Sequence, residues 1–273
     1  MSHPLFAPQS MYWRVNREWL ISLAGPRALL LELAHPAIAA GVAQHSNYRG
    51  DPFGRLYRTM KTMTEISFGM PDERRDALKH FHKCHAQVRD RAFVVRPPSF
   101  VVYDARNSDL QFWVLATLID SVLRVYEKFV APMTFADKGA YYEDCKGLAR
   151  VLGISRAAVP ETYAAFERYV DAMVCGDALN VTQNARDIVD ALFAPTLRGH
   201  LTRRFSFVGI GLLPPRVRQM YEYEWAAADE NRLDHLAAIA RRVRPKIPRA
   251  LAIHPKAYSM EHRLQKFPSS HPS

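Results

Sequence analysis

The stretch "DPFGRLYRTMKTMTEISFG" (51–69) holds the first residues whose types and spacing suggest chemistry. On a helix, Arg55, Arg58, Thr59, Thr62 and Ile66 fall at i, i+3, i+4, i+7 and i+11, which is one stripe. Two readings stand for two arginines and two threonines on that stripe. One is a solvated face whose guanidiniums pair with neighbouring carboxylates. The other is a polar strip facing a pocket, where its donors address an anion or a bound oxygen species. The next cluster, "HFHKCHAQV", places His80, His82 and His85 in one predicted helix, with His82 and His85 sharing a face. Histidines so spaced can bind zinc or iron, and two of them with a carboxylate can hold non-haem iron. The catalytic zinc pattern H-E-x-x-H is absent. A single imidazole on an apolar helix face can also hold haem iron from the proximal side. Against these stands a surface group of histidines beside Lys79 and Lys83.

Two more histidines flank an apolar run in "ELAHPAIAAGVAQHS" (32–46). His35 precedes Pro36, which disfavours the α conformation at His35 and ends or kinks a helix there. A histidine in such surroundings needs a partner. It is either a core residue satisfied by backbone or part of the wall of a cofactor pocket.

The elements that must carry these residues read as helices throughout. Helical runs are predicted at "AGPRALLLEL", at about 52–68, at about 72–93 and at 108–130, the last long and apolar enough to be central to the core. Another ends at Gly153, one begins at Pro160, and further ones fit about 182–193, 195–205, 214–227 and 230–242. The segment 96–109 is read as a break, and no sustained strand alternation or internal repeat is found. The expectation is an all-α, single multi-helix domain spanning 1–273, with its core over about 13–260, short flexible termini and a central buried helix.

Composition narrows the function classes. With 273 residues, 48% of them hydrophobic, the chain has ample core material. No secretory leader and no confident transmembrane span are expected, and Cys84, Cys145 and Cys175 are odd in number and far apart. Reduced thiols in a cytoplasmic setting follow as the default. The net charge of +10 gathers partly in the acid-free segment 240–258. No nucleic-acid motif accompanies it, so a solvated face or loose attraction to a membrane surface is the alternative, and no nucleic-acid partner is expected. G-x-S-x-G, G-x-G-x-x-G and P-loop patterns are all missing.

Several motifs occur in a telling order: "GPRALLLELAHPAIAAGVAQHS", "RLYRT", "FG", "HAQV", "FVVYDARNSDLQFWVLATLIDSVLRVYEKF" and "LP" before a Pro- and Arg-rich tail. In this the chain resembles the latex-clearing proteins (rubber oxygenases) and the MpaB-type oxygenases. The resemblance implies an all-α, haem-binding fold, globin-like or latex-clearing-protein-like. It implies a haem b (iron) oxygenase acting with dioxygen on a small apolar substrate, isoprenoid or lipid-like, with cleavage of a C=C bond. It further implies His85 as the proximal ligand of the metal, and Arg55, Arg58 and Thr59 as the catalytic distal set. A second register, "RTMKT", brings in Lys61 and Thr62. Arg27, His35 and His45 complete the candidate cofactor-binding residues, and Phe112, Trp113 and Thr117 are expected to line the substrate pocket. Leu115 stands where many members carry a histidine. A non-haem metal oxidoreductase using His35, His45, His82 or His85, and a non-catalytic binder of apolar ligands or haem, are the rival readings.

Overall fold

The computed structural model describes residues 4–46, 50–95, 98–193 and 206–266. Helices dominate, and their boundaries follow local chemistry. Helix α1 (Met11–Asn16) is capped by Ser10, and a 3-10 turn (Trp19–Leu23) leads into α2 (Ala24–Leu33). The chain then breaks at His35, which is extended, and restarts as α3 (Pro36–His45) with proline in the first turn. The His35 ring supplies the missing cap, its Nδ1 accepting from the Ala37 amide at 3.2 Å. The proline break is therefore as the sequence predicts, and the imidazole is satisfied by backbone.

Helices α4 (Pro52–Phe68) and α5 (Pro71–Ala86) form a hairpin joined through Gly69 and Met70. Helix α5 stops well before the predicted end near residue 93, because Arg89–Val95 and Pro98–Asp104 are extended rather than helical. They make an antiparallel pair, β1 (Arg89–Val95) and β2 (Pro98–Asp104), in the register Arg91↔Val102 and Ala92↔Val101. This corrects the expectation that 96–109 is only a break. Ala92 and Tyr103 turn inward onto Ala37 and Ala40 of α3, while Val102 and Phe100 face outward, with the Arg91 guanidinium 4.3 Å from the Phe100 ring centre.

Helix α6 (Ser108–Phe129), capped by Asn107, is the central buried helix. It packs along α2, and α7 (Phe135–Val151) and α8 (Tyr163–Cys175) close over it. Helix α8 begins at Tyr163 under a Thr162 cap rather than at Pro160. Helix α9 (Gln183–Phe193) matches its expected span, and the helix predicted at 195–205 lies outside the described residues. Helices α10 (Pro215–Met220), α11 (Ala227–Val243), α12 (Arg249–Ala252) and α13 (Pro255–Lys266) complete the chain. The last of them returns to the first, since Glu261 accepts from the Trp13 indole at 2.8 Å and from Arg17 at 3.0 Å. Among the described residues no helix is long and apolar enough to cross a membrane.

Candidate functional site

The α4–α5 hairpin determines which candidate residues are neighbours. Arg58 and Thr59 lie about ten residues before its turn and His85 sixteen residues after it. At ~1.5 Å of rise per residue, Arg58 and Thr59 stand about 15 Å from the turn, in the middle of α4, and His85 about 23 Å from it, at the open end of the hairpin. Of the three histidines of α5, His85 is half-buried, whereas His80 and His82 are exposed. His85 Nδ1 lies 2.8 Å from the Phe81 carbonyl oxygen, four residues back on the same helix. A carbonyl only accepts, so Nδ1 carries the proton and donates it, leaving the lone pair on Nε2. No hydrogen-bond partner for Nε2 occurs among the described residues. The Phe81 ring stands against the imidazole, with centroids 3.9 Å apart. Burial is the main reason the His85 pKa falls below the ordinary imidazole value; the Phe81 carbonyl opposes it and His82 adds to it. The ring is therefore neutral, oriented and open at one nitrogen, which is the condition of an imidazole metal ligand.

The rest of the expected set is dispersed. Arg58 is exposed and bonds Asp51, the α4 cap, at 3.0 Å, while Lys61 pairs with Glu65 at 3.5 Å. Thr59 is exposed and Thr62 half-buried, so of the stripe's described residues Arg58 and Thr59 face solvent rather than an enclosed pocket. The side chain of Arg55 lies outside the described residues. His45 is exposed, and its Nε2 lies 2.9 Å from the Tyr103 hydroxyl. Tyr103 gives its own proton to Gln44 at 2.6 Å, so His45 donates. This arrangement ties the end of α3 to β2.

Two groups of expected residues lie in the packed core. Arg27 is fully buried, and its nitrogens are already used. Nε donates to Leu212 O at 2.7 Å, Nη1 to Ser121 at 2.7 Å, and Nη2 pairs with Asp120 at 2.6 Å. It is a core residue with no donor turned outward to a cofactor carboxylate. Phe112, Trp113 and Thr117 are likewise packed rather than lining a cavity. The Trp113 indole donates to Leu31 O at 3.3 Å, Phe112 lies against Tyr169, and the Thr117 hydroxyl is 2.7 Å from Val114 O. All three are buried residues of α6.

The sequence reading missed the role of Phe81. Its position four residues before His85 was the available signal, since that spacing brings an i carbonyl under an i+4 side chain. It also missed a polar surface cleft of about 420 Å³ between α6, α7 and α8, lined by Asp120, Arg124, Glu127, Lys138, Tyr163 and Glu167. Among the described residues, no three His, Cys, Asp or Glu side chains come together as a metal site. A centre with a single protein ligand has no need of one.

Residues 13–242 match the domain described as ER-bound oxygenase mpaB/B'/Rubber oxygenase, catalytic domain. The chain belongs to this oxygenase family. Two uncharacterized mycobacterial proteins, from Mycobacterium bovis and Mycobacterium tuberculosis, are each 26% identical to it over 227 residues, which is 81% of this chain and 87% of the relative. No solved structure matches the chain. As a member of the mpaB/rubber oxygenase family, the protein carries an oxygenase catalytic domain, and the match takes in the α4–α5 hairpin, His85 and the central helix α6.

Proposed function

We propose that this protein is a haem b-dependent oxygenase that uses dioxygen on an apolar, isoprenoid or lipid-like substrate, with cleavage of a C=C bond. The observation that carries this reading is the state of His85: a neutral imidazole with Nδ1–H committed to the Phe81 carbonyl and Nε2 left open. Of the expected set, His85 suits the axial position of a haem with one protein ligand. Haem iron, when bound, supplies the dioxygen chemistry that no protein side chain provides. The chain's own part is to hold and tune. Phe81 O fixes the tautomer and raises the donor strength of Nε2, and the Phe81 ring keeps water from one side of the imidazole. Arg58, Thr59 and Lys61, in the middle of the neighbouring helix α4, offer cationic and hydroxyl donors to an approaching carboxylate or oxygen. The exposed, free Cys84 and Cys175 support a reducing compartment such as the cytoplasm.

The test is the visible spectrum of protein purified from haem-supplemented cells, before and after dithionite, alongside His85→Ala and His82→Ala. A Soret band that shifts on reduction, is lost in His85→Ala and persists in His82→Ala is the expected result. A featureless spectrum in the unaltered protein overturns the reading.

A further inference from the structure

A different surface, far along the chain, has no part in this chemistry. On α11 the buried face is Leu233 and Ala237, yet Leu236, Ile239 and Val243 at i, i+3 and i+7 form a second apolar stripe beside it that is exposed. The strap that follows continues the feature, with Ile247 exposed and Leu251 70% exposed. Trp19 stands beside the same strap. Its neighbour Glu18 bonds Arg244 at 2.8 Å and bridges to Ile253, and the Trp19 ring lies 5.0 Å from that of His254. Large apolar side chains exposed together at this density mark an interaction surface.

The charge around them identifies the partner. From His235 to Met260 the chain has no acidic residue and six Lys or Arg. Arg244, Arg249 and Lys256 are held by Glu18, Glu261 and Glu73. Arg241, Arg242 and Lys246 have no ion-pair partner among the described residues. The acids at the other end of α11, Glu230 and Asp234, are turned to Lys128. Arg242 flanks the stripe and Lys246 follows it on the strap, whereas Arg241 falls on the far side of α11. An apolar stripe flanked by unpaired cations is the composition of a helix that lies in a lipid interface, with its side chains among acyl chains and its cations at phosphates.

We propose that α11 and the strap to α12, with Trp19, form a docking surface for an anionic phospholipid bilayer. The surface runs past residue 242, where the family match ends. It places the protein at the boundary where an apolar molecule would be concentrated, and it stands whether or not haem is bound.

Co-sedimentation of the full chain with vesicles tests the proposal. Binding to phosphatidylcholine vesicles containing phosphatidylglycerol, weak binding to phosphatidylcholine alone, and loss of binding at high salt are expected. The combined variant Arg242→Glu, Lys246→Glu lowers partitioning about thirtyfold, from roughly 1 kcal/mol per lost cation near an anionic surface. Leu251→Glu with Ile239→Glu lowers it too, with an unchanged melting temperature showing that these exposed changes leave the fold intact. Equal binding to both vesicle types, or variants that bind as the unaltered protein does, overturns it. So does a dimer in light scattering that Leu251→Glu dissociates, since the face would then belong to a second copy.

Discussion

Arg27 and Arg58 are the same residue type thirty-one positions apart, and their surroundings give them opposite meanings. Burial disfavours the Asp120 carboxylate, and the Arg27 guanidinium prevails over that burial to hold its pKa below the usual range, with Arg124 adding to the effect. The pair is useful only while both members stay. Arg27→Ala leaves a carboxylate without its inner partner, and Leu212 O and Ser121 without their donor, so a loss of about 3–5 kcal/mol is expected in urea unfolding. Arg58, exposed beside Asp51, carries almost nothing of the fold, and its value must be sought in activity. Sequence alone could name both arginines as chemically notable but could not separate them, because the partner Asp120 is 93 positions from Arg27 and is brought to it only by packing. His85 was legible for a different reason. Its environment is local, made by Phe81 on the same helix.

At the scale of elements, legibility followed the same division. The starts of α3, α4 and α6 and the break at His35 could be read because proline, Asp51 and Asn107 act within a turn of where they stand. The β1–β2 pair could not. Its inward positions, Ala92 and Tyr103, are sorted from outward ones by α3, which precedes them by dozens of residues. The end of α7 is a case where one residue decides. Gly153 sits at φ +80, its amide bonds Arg150 O at 3.1 Å and the Ile154 amide bonds Ala149 O at 3.0 Å, closing a Schellman motif. A Cβ there meets only His82 Cε1 at 3.4 Å, an ordinary contact, so the backbone conformation is the whole cost. Gly153→Ala is expected to destabilise by about 1–2 kcal/mol in chemical denaturation with no change in the denaturant slope.

Across the whole molecule, two helices start in one way at opposite ends of the chain. His35 before Pro36 caps α3, and His254 before Pro255 opens α13, its Nδ1 accepting from the Lys256 amide at 3.1 Å. Each cap needs an unprotonated Nδ1 beside the positive end of a helix. Burial is the chief cause that lowers the pKa of both rings, as it is for His85. The sign follows directly. In the unfolded chain these imidazoles titrate near about 6.5, while the native state refuses the proton until lower pH. Below about 6.5 the unfolded state therefore binds protons that the folded state does not, and stability falls with falling pH. Above about 7.5 these groups contribute no slope. The carboxylates add nothing in this window, because Glu261 and Asp120 are held below the usual range and lose their contribution only in stronger acid. A melting temperature that declines between pH 7 and 5.5 is thus the expected profile. His35→Asn keeps a side-chain acceptor for the Ala37 amide but has no proton to gain, so it should melt near the unaltered protein at pH 7.5 and lie above it at pH 5.5. If the two curves stay parallel throughout, the caps do not govern the acid response.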